Sequence, residues 1–262
     1  MVPLRSAAWV FGLLSAALWL KGAEAAEPPS ELRQSGFAFM GAAIRAMQDD
    51  DSANPGMLWV LDGGALWQER AGEAGKSCAD CHGAPAAMAG VALRYPRFDG
   101  VRGRLLDIEQ RINLCRTEQQ RAPALAFESR PLLALSALVA RQSRGQPIAV
   151  GDDPAARPFL AAGRAMFHRR QGQLNLSCAQ CHDDNAGRSL GGATIPQAHP
   201  TGYPLYRLEW QTLGSLQRRL RGCMVGMRAE PYAYGAIEAV ELELYLMWRA
   251  RGMPLETPAV RP

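Results

Sequence analysis

Six cysteines carry most of the chemistry that can be read from this chain: Cys78, Cys81, Cys115, Cys178, Cys181 and Cys223. Four of them stand in CADCH (78–82) and CAQCH (178–182), two copies of Cys-x-x-Cys-His set 100 residues apart. In an exported chain this pattern spells covalent attachment of haem c. Two thioethers hold the macrocycle, and the adjacent histidine, His82 or His182, turns back on a short helix to give its imidazole to iron. A single Cys-x-x-Cys is compatible with a redox disulfide or half a zinc site, but the immediate histidine and the second copy argue against both. Two covalently bound haem c groups are therefore expected, on Cys78/Cys81 and on Cys178/Cys181.

The remaining two cysteines belong to a longer repeat. YPRFDGVRGRLLDIEQRINLC (95–115) aligns without a gap on YPLYRLEWQTLGSLQRRLRGC (203–223). Leu105, Ile108, Ile112 and Cys115 match Leu213, Leu216, Leu220 and Cys223, an i, i+3, i+7, i+10 spacing that lies on one stripe of a helix. Both thiols are thus expected to face the interior of their own half, beside a haem. Three roles are open to them: a Cys115–Cys223 disulfide, buried inert thiols, or thiolate ligands that fill the second axial position of each iron. The need of iron for a sixth ligand favours the last. The rival ligands Met88, Met224, Met227, His168 and His199 do not recur in both halves.

Charge separates the copies. Arg111 and Arg219 each stand one turn before their cysteine. Asp107, Glu109 and Glu118 offset Arg111 and Arg116 around Cys115, whereas Gln110 and Asn113 have become Arg218 and Arg221 around Cys223, and no acidic residue occurs between Trp210 and Ala229. Many such arginine clusters are solvated helix faces. Beside a nucleophilic sulfur, however, guanidinium groups lower the thiol pKa and bind tetrahedral oxyanions through paired hydrogen bonds. The second site is the one expected to attract an anionic substrate.

Elements that position these groups follow from apolar period. Residues 31–48, 57–70, 103–117 and 128–143 in the first half, and 155–170, 205–222 and 233–250 in the second, carry helical spacing, and no alternating strand is evident. GQPIAVGDDPAAR (145–157) is rich in Gly, Pro and Asp and reads as the break between copies. The expected architecture is mainly α: two cytochrome c-like haem domains related by internal duplication, over 26–150 and 151–262. Residues 1–25 combine Arg5, an apolar run and Ala23-Glu24-Ala25, a cleaved secretory signal that implies a periplasmic protein with no membrane span after cleavage. At 48% hydrophobic, 21% charged and a formal net charge of +4, the chain is globular and contains no nucleic-acid-binding tract.

Two Cys-x-x-Cys-His halves, an interior cysteine after each, and RRLRGCMVGMRAEPY at the second resemble the SoxA subunits of the SoxAX cytochromes of bacterial sulfur oxidation, in their dihaem branch. The resemblance implies an L-cysteine S-thiosulfotransferase that pairs with a small monohaem cytochrome, SoxX, and couples thiosulfate oxidatively to a cysteine of the carrier SoxYZ. On matching positions it implies axial pairs His82/Cys115 and His182/Cys223, with Cys223 also the catalytic cysteine, as a persulfide, and Arg219 holding substrate. A thiosulfate dehydrogenase forming tetrathionate and a non-enzymatic dihaem electron carrier are the alternatives.

Overall fold

The computed structural model describes residues 30–151 and 153–262; the signal segment 1–25 lies outside them. In the first half α1 (Ala42–Asp49) and α2 (Met57–Gln68) precede the short α3 (Cys78–His82). A hairpin of β1 (Arg97–Asp99) and β2 (Arg104–Leu106) follows, then α4 (Ile108–Gln119) and α5 (Arg130–Arg141). The second half repeats this order. It runs through α6 (Arg157–His168), α7 (Cys178–His182), the extra hairpin β3 (Ser189–Leu190) and β4 (Ala193–Thr194), β5 (Leu205–Arg207), β6 (Thr212–Gly214), α8 (Leu216–Gly226), α9 (Ile237–Arg249) and β7 (Val260–Arg261).

The duplication is visible in local chemistry. Ser77 and Ser177 cap α3 and α7, each accepting from the backbone N–H three residues on while the Asp80 or Gln180 side chain accepts from the capping residue's own N–H. Asp107 caps α4 with the same reciprocal pair, through Gln110, and Ser215 caps α8 by accepting from the Arg218 N–H. Each cap is worth about 1 kcal/mol and fixes where the helix that carries a cysteine begins. Gly63 and Gly163 let the paired helices of each half meet: a Cβ at Gly63 would stand 2.3 Å from the Ala134 carbonyl oxygen of α5, and one at Gly163 2.0 Å from the Glu241 carbonyl oxygen of α9.

Helix α5, RPLLALSALVAR, is apolar on nearly every face because it is enclosed on nearly every face. Its Leu133, Ala134 and Leu138 join Trp59, Val60 and Trp67 of α2 in one core. Its Ala140 enters a second core with Leu105, Val240, Leu244 and Met247, so the two halves share buried apolar surface. Residues 33–41 leave the first half and lie on the second: Gln34 donates its N–H to Gln197 Oε1 at 2.7 Å, and the Ser35 hydroxyl donates to Glu256 Oε1 at 2.6 Å. At the seam the Gln217 side-chain amide donates to Asp107 at 2.7 Å and to Glu243 at 3.3 Å.

Three sequence expectations need correction. The helices expected over 103–117 and 205–222 begin at Ile108 and Leu216, and the residues before them form antiparallel hairpins with Phe98 opposite Leu105 and Tyr206 opposite Leu213. Strands of three residues are too short to show a period of two. Leu105 and Leu213 therefore reach the core from strands, and the helical stripe comprises Ile108, Ile112 and Cys115, and Leu216, Leu220 and Cys223. Of the helix expected over 31–48, only 42–49 is α-helical.

Candidate active site

Gly72 and Gly172 begin the local geometry of both centres. Each has a positive φ, and a Cβ there would stand 2.3 Å from the Gln120 carbonyl oxygen or 2.2 Å from that of Met227. The turns ahead of α3 and α7 can thus rest against the ends of α4 and α8, which brings each Cys-x-x-Cys-His helix to its partner cysteine. Cys115 is within electrostatic reach of Cys78 and Cys81, and Cys223 of Cys178 and Cys181. None of the six is paired in a disulfide, and they are grouped three and three, so the Cys115–Cys223 bridge is not realised.

In the second centre the His182 imidazole and the Cys223 sulfur line one cavity, within interaction distance of each other. Its Nδ1 lies 2.7 Å from the Pro196 carbonyl oxygen. A carbonyl only accepts, so Nδ1 carries the proton and Nε2 keeps its lone pair for a metal. Pro196 belongs to the long loop 183–204, and much of the later part of that loop walls a cavity of about 370 Å³. That volume is within the range of cofactor clefts, roughly 300–1,000 Å³. Phe39, Leu205, Leu216 and Leu220 supply apolar lining, and His182, Arg219 and Cys223 meet inside it. An imidazole and a sulfur meeting in one cavity, two adjacent attachment cysteines and an apolar wall fit a haem that these residues would hold.

Electrostatics differ between the two interior cysteines. Burial would raise the Cys223 thiol pKa, but the His182 hydrogen bond and the charges of Arg219, His182 and Arg207 outweigh it, and the net shift is downward. For Cys115 burial again raises the pKa, Arg111 opposes it, Cys81 and Glu118 add to it, and the net shift is upward. Asp99 explains part of this contrast. It lies 3.9 Å from the Arg111 guanidinium and 3.2 Å from that of Arg102, and so offsets the cation one turn before Cys115. His82 also differs from His182: it is exposed, its ring 5.7 Å from that of Trp67. The first centre is the more open one, and its three grouped thiols with His82 are again a haem donor set.

The other expected site residues divide cleanly. Arg219 lines the second cavity, but Arg218 and Arg221 do not. Arg218 stacks 4.3 Å over Trp210 and faces Glu128 at 3.9 Å, a carboxylate from the first half that sequence distance conceals. Arg221 donates to the Tyr232 carbonyl oxygen and lies over the Tyr234 ring. Met224 and Met227 are buried core, Met88 packs against the first core, and the His168 ring rests on Phe167. His199 is on the cavity wall. Its Nδ1 donates to the Gln34 carbonyl oxygen at 2.9 Å, burial pulls its pKa down to about 4, and Nε2 has no protein partner. Sequence reasoning missed Tyr203, Arg207 and Arg261 on that wall. The gapless repeat could have flagged Arg207, since it aligns with Asp99.

Two related helical halves, each presenting Cys-x-x-Cys-His to an interior cysteine, define a dihaem c-type cytochrome. The family described as SoxA/TsdA, cytochrome c domain, matches residues 62–148 and 162–255, so each matched stretch contains one attachment motif and covalently bound haem c is the cofactor of both. The chain belongs to the SoxA family, whose members are L-cysteine S-thiosulfotransferase subunits. It is 38% identical over 229 residues to the L-cysteine S-thiosulfotransferase subunit SoxA of Rhodovulum sulfidophilum, covering 87% of this chain and 80% of that protein. With the SoxA of Paracoccus pantotrophus it shares 35% identity over 227 residues, 87% of this chain and 78% of that one. The crystal structure of SoxXA from P. pantotrophus superimposes with a TM-score of 0.86 at 34% identity, covering 90% of this chain and 92% of that chain. Among the described residues no helix is long and apolar enough to cross a membrane.

Proposed function

We propose that the second centre joins thiosulfate to a cysteine of the SoxYZ carrier, with Cys223 as catalytic sulfur and Arg219 as substrate anchor. The observation that carries this reading is the meeting of an opposed His182/Cys223 pair with the Arg219 guanidinium in one cavity. Cys178, Cys181, His182 and Cys223 would hold the haem there, the first two by thioether attachment and the last two as donors to its iron, and Cys78, Cys81, His82 and Cys115 would hold the first haem in the same roles. The haem supplies one-electron acceptance, so the two electrons of the reaction leave singly.

The balanced reaction takes a carrier thiol and thiosulfate to the S-thiosulfonate, R–SH + S₂O₃²⁻ → R–S–S–SO₃⁻ + H⁺ + 2 e⁻. A sulfur–sulfur bond forms, the S–H bond breaks, and the electrons pass by way of the small monohaem partner SoxX to a c-type acceptor. Arg219 holds the sulfonate end through charge-assisted hydrogen bonds, which leaves the terminal sulfur directed at Cys223. Cys223 acts as a persulfide. Apolar Leu216 and Leu220 limit water around the sulfur. An exported protein whose leader is removed fits the location of such chemistry in the periplasm.

The test is turnover of the complex with thiosulfate and an oxidised cytochrome c, with and without a carrier that has an accessible cysteine. We expect carrier-dependent cytochrome reduction and a mass gain of one thiosulfonate on the carrier cysteine. Tetrathionate formed at full rate without carrier would overturn the assignment in favour of a thiosulfate dehydrogenase. Peptide mass spectrometry of Cys223 in active enzyme should find one added sulfur.

A further inference from the structure

The two copies of the fold place opposite charges at one position. In the hairpin ahead of α4 the last residue of β1 is Asp99; in the matching hairpin ahead of α8 the last residue of β5 is Arg207. Asp99 faces Arg111 and Arg102 and offsets the charge beside Cys115. Arg207 instead lines the same cavity as Arg219 and Cys223, with only 14% of its side chain exposed. With Arg261, three guanidinium groups are thereby gathered at one cavity, and the mutual repulsion of Arg207 and Arg219 favours an anion between them.

Arg207 is also held in place. Its Nε donates to the Pro262 carbonyl oxygen at 2.7 Å, and β7, paired in parallel with β5, brings that residue there. Its Nη2 forms an ion pair with Glu209 at 2.9 Å, but Glu209 is 65% exposed, and such pairs are weak and readily exchanged. Neither bond uses Nη1. Arg261, the neighbour of Arg207 across the strand pair, already has a carboxylate in Glu256 at 3.1 Å. Of the two cavity arginines that hold an ion pair, Arg207 is thus the one with the more exchangeable carboxylate, and its guanidinium also lies 5.1 Å from the Trp210 ring centroid.

We propose that Arg207 is a second substrate-binding guanidinium, which with Arg219 clamps the sulfonate oxygens of thiosulfate and so sets specificity for a sulfur oxyanion. One tetrahedral sulfonate has three oxygens, enough for two guanidinium forks to engage different oxygens while the terminal sulfur is directed at Cys223. This inference rests on the thiosulfate reading of the cavity. The same chemistry of carboxylate or sulfonate recognition could be spent on a haem propionate, and the experiment separates the two.

The haem-loaded complex of wild type, Arg207→Gln, Arg207→Lys and Glu209→Gln is assayed for carrier-dependent thiosulfate turnover. For each, the haem absorption spectrum and midpoint potential are measured without thiosulfate. Loss of one charge-assisted contact predicts a KM for thiosulfate raised roughly 10- to 100-fold in Arg207→Gln, with kcat changed less than about threefold. Arg207→Lys is expected to recover part of the loss, because charge remains without the fork. The spectrum and potential without substrate should stay as in wild type. Glu209→Gln, an exposed change that folding tolerates, should lower KM by about two- to threefold as the competing carboxylate disappears. An unchanged KM in both Arg207→Gln and Glu209→Gln, or a shifted potential with KM intact as a propionate partner would give, overturns the assignment. A wild-type complex that does not turn over thiosulfate with carrier fails the functional reading itself, a result distinct from equal KM values in active enzymes.

Discussion

Cys115 and Cys223 occupy the same place in two copies of one fold, yet their surroundings push their thiols in opposite directions. Both helices are capped at their first turn, both carry an arginine one turn before the cysteine, and both lie against a Cys-x-x-Cys-His helix. What differs is what faces the sulfur. Asp99 and Glu118 surround the first with carboxylates, while Arg207 stands where the second would have had an aspartate. His82 is exposed, and His182 is oriented by Pro196 from an inserted loop. On the proposed function, one haem-binding scaffold becomes reactive through a charge reversal and a loop rather than through a new fold.

The sharpest way to break this comparison is to remove each sulfur. Cys223→Ser should reduce carrier-dependent turnover by roughly 10⁴-fold or more, the scale expected when a nucleophile is lost. Cys115→Ser should leave readily measurable turnover while altering the spectrum of the first haem. Equal losses from the two variants, measured by cytochrome c reduction, would remove the functional asymmetry. The arginines give a smaller contrast: Arg219→Ala should cost about 10²- to 10³-fold in kcat/KM, with both haem spectra nearly preserved. Arg111→Ala, whose cation is already offset by Asp99, should stay within about threefold.

Stability tests the shared scaffold. Gly163→Ala and Gly63→Ala each force a methyl into a carbonyl oxygen of the partner helix, and each should destabilise by about 1–3 kcal/mol, with the closer approach at Gly163 the costlier. Thermal unfolding of the haem-loaded protein measures this, and a neutral Gly163→Ala would contradict the helix crossing.

The smallest effect concerns the seam. Burial raises the Glu243 carboxyl to about 8, with the Asp107 charge adding to the rise and Gln217 opposing it. Burial likewise raises Asp107 to about 6 against hydrogen bonds from Gln110 and Gln217 and the charge of Arg104. Glu109, also buried, faces Asp107, Glu128 and Glu243. A carboxyl whose folded pKa exceeds its unfolded one binds its proton more tightly when folded. Its stabilisation is complete below the unfolded value and is lost as pH rises through the folded value. The unfolding free energy should therefore fall as pH rises from about 5 to 8, by at least about 1–2 kcal/mol, with the midpoint falling in step, and Glu243→Gln should flatten that slope. A wild-type midpoint that does not fall over this range would contradict a protonated seam.

Much of the fold could be read along the chain because its signals are local. Serine ahead of each attachment motif, glycine exactly one hundred positions apart in the paired helices, and apolar period in α2, α5, α6 and α9 all act within a few residues. The hairpins before α4 and α8 escaped notice, since three residues cannot establish alternation against the strong helical pattern that follows them. Arg218 and Arg221 looked like site residues because they adjoin Cys223 in sequence. On a helix, residues two and five positions apart point in different directions, and both arginines found aromatic rings instead.

The sequence by itself determined the cofactor chemistry, the duplication and which cysteine sits among positive charge, because covalent attachment and helical periodicity are set by spacing along the chain. Only the tertiary structure decided which charges share a cavity. Pro196, Arg207, Arg219 and Phe39 come from three loops or strands and one helix, and they converge because β5, β7 and residues 33–41 fold across the second half. Electrostatic effects depend on distance and burial through space, and neither quantity is written in the order of residues.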